Sequence, residues 1–279
     1  MTELARIVAK VALLAFLLSS MLAVGLSLTP RAILAPLSNA RLVLPALALN
    51  FVLAPAFALA LTNLIPLERP HAIGLVLLSG AAGAPFLPKL VQDAHCDLGV
   101  AVALMTLLTV VTTLFMPFAL PFILPDLQAS PWSIARPLLI FILIPLAVGM
   151  LMQGQASLVL VRTILVKLAN ISGLVLIILL VALYFRDLLG IVGSGAIAAS
   201  VIFIAGLFAA GYLLGGSQIA TKGALGLATA ARNIGAALVP ASQNFSDSKI
   251  MLMVVCCTIV TLLMLVPTAA WLQRKRQMP

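Results

Sequence analysis

The stretch GALGLATAARNIGAALVP runs from Gly223 to Pro240, and its reading decides the fold. It lies among apolar segments long enough to cross a bilayer, yet Arg232 and Asn233 sit in its middle. A guanidinium near the centre of a membrane helix costs about 2.5–3.5 kcal/mol on insertion scales. A chain tolerates that only where the charge faces protein, water or a ligand. Gly223, Gly226 and Gly235, with small residues between them, make a weak continuous helix that allows close packing. The segment reads as a broken membrane helix whose break is a binding site.

The rest of the chain agrees with a membrane setting. Of 279 residues, 63% are hydrophobic and 8% charged, and the mean hydropathy is +1.26. A water-soluble domain of this length cannot cover its surface with so few charges. Apolar runs without period-two alternation exclude a β-barrel. The expected fold is an all-α polytopic membrane protein in a single transmembrane domain. Its net charge of +9 does not point to nucleic acid, because the basic residues stand singly between apolar spans. Cys256 and Cys257 are adjacent in an apolar run and Cys96 stands alone, so no disulfide framework is expected.

Nine spans are expected, at about 7–28, 38–62, 70–94, 98–124, 132–153, 160–184, 191–213, 216–243 and 247–272. The first is too long for a signal-peptide core and has no clear cleavage site, so it counts as a span. Connections are short and rich in Pro, Gly, Asn or charge, among them Thr29-Pro30-Arg31, Pro125 to Pro131 and Ser246 to Lys249. Nine basic residues fall on the side of the C-terminus and six on the other, which carries five of the seven acids. The positive-inside rule then predicts a cytoplasmic C-terminus and an N-terminus outside.

The third span is abnormal like the eighth. In SGAAGAPFLPKLVQDAHCD, from Ser79 to Asp97, Pro85 and Pro88 each remove an amide donor, and Gly80 and Gly83 loosen the backbone before them. Two interrupted helices five spans apart are the trace of an inverted repeat, a first copy at about 7–125 lacking its first helix and a second at about 132–273. Their half-helix ends are expected to meet near the midplane and present backbone dipoles to a ligand.

Arg232 is the sharpest candidate site residue: a fixed positive charge suited to an anionic substrate group or to replacing a bound cation. Thr229 and Asn233 flank it. Lys89 follows Pro88 at the other break, although Asp93 at i+4 offers it a partner on the same helix face. Asn50 is a lone amide deep in the second span, either capping a neighbouring helix or giving an oxygen to a site. Thr106, Thr109, Thr112 and Thr113 read chiefly as hydroxyls bonded back to their own helix. His71 lies at a loop boundary and His95 near a charged helix end, neither with a second ligand at metal spacing. No phosphate-binding loop, dinucleotide fingerprint, nucleophile elbow or zinc-protease motif is present, so neither enzymatic chemistry nor ATP-driven transport is expected.

In order along the chain stand VGLSLTP (Val24 to Pro30), NFVLAP (Asn50 to Pro55), SGAAGAPFLPKL ahead of DLGVAV, GYLLG (Gly211 to Gly215) and ARNIGAALV (Ala231 to Val239). With these the chain resembles the bile acid:sodium symporter family over essentially its whole length. The resemblance implies a core domain whose two unwound helices cross, a smaller panel domain, and alternating access of an organic anion between them. It also implies a location in a bacterial inner membrane. Family members that bind two sodium ions carry a Cys-Pro-Gly-Gly-Thr-Ala-Ser-Asn run at the first crossing. The matching residues here are Ala81 to Pro88, so Leu87-Pro88 replaces Ser-Asn. A serine and a threonine of the next helix become Ala101 and Met105, with Thr106 adjacent. The family's Glu-x-x-x-Gln becomes Ala228 and Arg232, leaving Asn50 as the one surviving side-chain ligand. Because hard cations need several oxygens, no cofactor is assigned, and Arg232, with Lys89, is expected to stand in for sodium. The expected function is secondary transport of a small organic anion. The alternative is a non-transporting membrane scaffold or sensor. Substrate-binding candidates are therefore Arg232, Asn233, Thr229, Lys89, Asn50 and Thr106. The expected partners are an organic anion and the lipid bilayer; the oligomeric state is left open.

Overall fold

Prolines and capping side chains divide the chain into its helices. A computed structural model describes residues 2–28, 38–124, 130–154, 158–245 and 247–277. The Thr29-Pro30-Arg31 turn, residues 125–129 of the fourth connection and Ser246 lie outside the described residues. The helices are α1 (Thr2–Ser27), α2 (Ala40–Leu64), α3 (Arg69–Gly80), α4 (Leu87–Asp93), α5 (Leu98–Ile123), α6 (Pro131–Leu151) and α7 (Val159–Leu183). They continue as α8 (Phe185–Gly190), α9 (Ala196–Leu214), α10 (Ile219–Ala230), α11 (Ile234–Asn244) and α12 (Ser248–Gln277).

Eight of these stretches are long and apolar enough to cross a membrane, with α10 and α11 counted together over Ile219–Asn244. The expected third span falls on the pair α3 and α4, too deeply interrupted to qualify as one helix. The protein is thus an all-α, multi-pass integral membrane protein. The expected start of the seventh span at 191 moves to Ala196, where Gly195 at φ 79 supplies the left-handed turn that begins α9.

Side-chain caps set several starts. Asn39 accepts from the Arg41 amide, Asp97 from Val100 and Ser130 from Ser133. Inside α2 and α6 the backbone widens to five-residue π turns, at Leu49–Leu53 and Leu139–Leu143. Each lies just ahead of a proline, Pro55 or Pro145, whose missing N–H leaves a carbonyl without its α-helical donor. The ladder recovers through five-residue bonds from the Ala54 amide to Leu49 and from the Ile144 amide to Leu139.

Two groups of helices result. α1 packs along α7 and α6, and Gly25 faces Gly149 so closely that a Cβ on either would meet opposing backbone at under 3 Å. The second group contains α2, both broken pairs, α5, α9 and α12. α10 and α11 are buried throughout their window, whereas α7 leaves most of its surface outward. The groups meet where Leu17 of α1, itself fully buried, lies against Gly235 of α11.

Candidate functional site: the crossing of two broken helices

α3 ends at Gly80, and the stretch beyond it stays unwound because Gly83 takes φ 81 and Pro85 disfavours helix for Ala84. α10 ends at Ala230, and Asn233 begins α11 by accepting the Ala236 amide on its side chain at 3.1 Å. The break in the eighth span is only Ala231, Arg232 and Asn233. The glycines that suggested it lie in the half-helices instead: Gly223 against Cys96 and Leu272, Gly226 against Phe208, and Gly235 against Leu17. Those glycines serve packing, while the asparagine cap makes the interruption.

The two breaks meet. The Asn233 amide donates to the Ala81 carbonyl at 2.8 Å, and its side-chain Nδ2 donates to the Gly83 carbonyl at 3.1 Å. α3 starts on the face where Glu68 meets Lys249; α10 starts on the opposite face, where the Asp97 amide meets the Ala220 carbonyl. The half-helices therefore approach from opposite sides. Twelve residues each, at about 1.5 Å per residue, bring their ends to roughly 18 Å depth, about half of a bilayer and its interface.

Arg232 fills the meeting point and is 3% exposed. Its Nε donates to the Leu78 carbonyl at 3.2 Å, and its Nη2 donates to the Ser79 carbonyl. Its Nη1 donates to Asn50 Oδ1 at 2.6 Å and to the Thr229 carbonyl at 3.2 Å. Among the described residues no carboxylate pairs with it. The compensation comes from helix ends: Leu78 and Ser79 belong to the last turn of α3, Thr229 to the last turn of α10, and both termini carry negative partial charge. Hydrogen bonds to a charged group contribute about 1.5–3 kcal/mol each, so four outweigh the cost of placing the charge there.

The acceptors are held from outside. Asn50 is buried in the first π turn, and its Nδ2 donates to the Ala46 carbonyl at 2.9 Å, which turns its oxygen toward Arg232. Thr109 Oγ1 donates to the Gly83 carbonyl at 3.1 Å and to Met105 at 2.7 Å. Thr112 Oγ1 accepts the Ala82 amide at 3.0 Å and bonds its carbonyl at 3.2 Å. Thr109 and Thr112 thus tie the first unwound stretch to α5, a role that back-bonding alone did not foretell. Their three-residue spacing puts both on one helix face, which was the available signal.

Of the expected site residues, the structure brings Arg232, Asn233, Asn50 and the Thr229 carbonyl together. Thr229 Oγ1 bonds back to Leu225 at 2.8 Å. Thr106 is buried but donates to Val102 of its own helix at 2.9 Å. Lys89 is elsewhere: its ammonium is 2.6 Å from Asp93, with the two side chains 72% and 50% exposed.

A cavity of about 430 Å3 opens between α1 and α7 on one side and α11 and α12 on the other. Leu13, Leu176 and Leu238 make its walls apolar; Lys10, Tyr184, Ser242 and Ser248 are its polar members. That volume suits a small organic molecule.

No curated protein matches the chain significantly. The profile of the Sodium Bile acid symporter family matches residues 14–194, which runs from the middle of α1 to the turn before α9 and includes the first break and Asn50. The match covers well over half of the sequence, and the chain belongs to the sodium bile acid symporter family, whose members are membrane transporters.

Proposed function

We propose that the protein is a secondary transporter of a small organic anion, and that a tethered cation, Arg232, does at the crossing what sodium does in relatives. Movement of the α1, α6 and α7 group against the remaining helices would expose the cavity between them to each side in turn. The two halves, 7–125 and 132–273, act in this reading as an inverted repeat without catalytic chemistry. The C-terminus faces the cytoplasm of a bacterial cell, following the distribution of basic residues.

One observation carries the reading. The oxygens of Leu78, Ser79, Thr229 and Asn50 converge on one point, as a hard cation would require, and a guanidinium already engages all four. Those donors do not fit an additional sodium ion while the arginine is in place. Arg232 supports the substrate site through the crossing, and Asn233 and Thr229 serve it in the same way. Lys89 and Thr106 take no part at the crossing in this arrangement.

The test is uptake into proteoliposomes of a radiolabelled bile acid, cholate, beside a panel of short carboxylates and sulfonates. Sodium is then replaced throughout by choline. Transport that persists in choline supports the proposal, and strict sodium dependence overturns it. Absence of flux for every anion, from a protein shown to be folded, favours the scaffold or sensor reading.

A further inference from the structure

His71 lies in the first turn of α3 and is 3% exposed. Neither Nδ1 nor Nε2 has a hydrogen-bond partner, and these are the only buried side-chain nitrogens or oxygens of that kind among the described residues. A neutral imidazole carries one donor and one acceptor, and leaving both unmade in a packed interior is costly. The position is closely built: one turn on, Gly74 leaves no room for a Cβ, whose nearest neighbours would be the Ile250 carbonyl at 2.6 Å and the Met253 side chain at 2.7 Å. Three residues before it, at the start of the same helix, is one end of an ion pair. Glu68, the residue before α3, meets Lys249 in the first turn of α12 at 2.7 Å, both about half exposed. The hydrogen bond from Lys249 holds the Glu68 carboxyl below its ordinary range.

The charged groups around His71 are few. Glu68, Lys249 and Asp247 act on it directly, Arg69 is nearby in the chain, and Asp187 acts on Lys249. α5 brings no charge between Leu98 and Ile123, α11 presents the uncharged Asn244, and the end of α2 carries Thr62 and Asn63.

We propose that His71 is a proton-binding site whose occupancy exchanges the Glu68–Lys249 pair for a Glu68–His71 pair. A proton from solvent on this face adds to a ring nitrogen, and no other covalent bond changes. The imidazolium lies three residues from Glu68 and gives that carboxylate a second cation to choose. Once Glu68 turns to it, the first turn of α12 loses its tie to the start of α3. α3 is the half-helix whose last turn holds Arg232, so a proton at one end loosens the element that frames the crossing at the other. This deepens the transport reading by naming the proton as the coupling ion, and its consequence for flux rests on that reading.

The chain has two histidines, which makes the test direct. Full-length protein with isotope-labelled histidine in lipid nanodiscs gives two ring signals, and His71→Gln identifies which is which. The His71 ring is expected to convert from neutral to imidazolium as the pH is lowered into the acid range. In Glu68→Gln, an exposed substitution that leaves the fold intact, that conversion should move to lower pH. Amide hydrogen exchange over residues 248–255 should rise with the conversion in the wild type and stay flat in His71→Gln. A ring that remains neutral at the acid end, a midpoint unmoved in Glu68→Gln, or an exchange rise that survives in His71→Gln each overturns the proposal. None of these readouts needs a substrate. Failure of every anion to cross proteoliposomes ends the transport reading and leaves this titration standing; a silent ring does the reverse.

Discussion

Arg232 and Asn50, 182 positions apart, are joined by a 2.6 Å hydrogen bond from the guanidinium to the amide oxygen, and both are buried. The bond links the second broken helix to the π turn of α2. It also orients a polar side chain that belongs to neither break. Substitutions at Arg232, Asn50, Gly83 and Lys89 probe what the crossing and its neighbours do.

Arg232→Ala removes the cation and leaves its oxygen acceptors facing one another. The variant should melt well below the wild type, since orphaned buried acceptors cost about 1–3 kcal/mol each. Sodium or another small cation should then recover part of the loss, because a ligand that binds only the folded state raises its stability. The melting temperature of the variant should climb with sodium and not with choline, while the wild type responds to neither. A variant indifferent to sodium would show that the acceptors do not form a cation-shaped cage.

Asn50→Ala deletes one of the two acceptors for Nη1, a charge-assisted bond of about 1.5–3 kcal/mol. Asn50→Asp keeps an oxygen there and adds a negative charge beside the guanidinium. Thermal denaturation in detergent should rank wild type above Asn50→Ala. Asn50→Asp should fall closer to the wild type than to Asn50→Ala. The reverse order would mean that the amide serves its own helix through Ala46 and not the arginine.

Gly83→Ala should abolish transport and lower expression. Its φ of 81 disfavours a side chain, and the new Cβ would lie 2.4 Å from Thr109 Oγ1. Gly80→Ala, three residues earlier, is the control: its nearest neighbour is the Met116 side chain at 3.7 Å, an ordinary contact. Equal tolerance of the two would mean that the first unwound stretch can reshape itself freely.

Lys89→Ala should be nearly silent. An exposed pair at i and i+4 contributes about 0.3–0.5 kcal/mol, and the ammonium is committed to Asp93. Anion uptake by this variant should match the wild type, whereas uptake that disappears would return Lys89 to the list of substrate contacts.

Much of the architecture was readable from the chain. Run lengths gave the spans, and the prolines at 85 and 88 with a charge at 232 marked the two interruptions. Asn233 and Asn50 stood out because a polar side chain in an apolar run must find a partner. The partners themselves were not readable. Three of the four atoms that hold Arg232 are backbone carbonyls, which every residue possesses, so no residue type announces them. Lys89 looked similar to Arg232 in sequence; the difference is that Lys89 had an acid one turn away and Arg232 had none. His71 stands at the loop boundary where the sequence put it, in the first turn of α3; its burial was not readable, because α3 packs against α12, nearly 180 residues later in the chain.

A positive charge bonded covalently to the chain does not travel with the cargo. A uniporter working this way moves each monovalent anion as a net negative charge, and an inside-negative membrane drives that charge outward by about 2.3 kcal/mol for every 100 mV. Such a carrier would expel what sodium-driven relatives accumulate, unless a proton entering with the anion cancels the current.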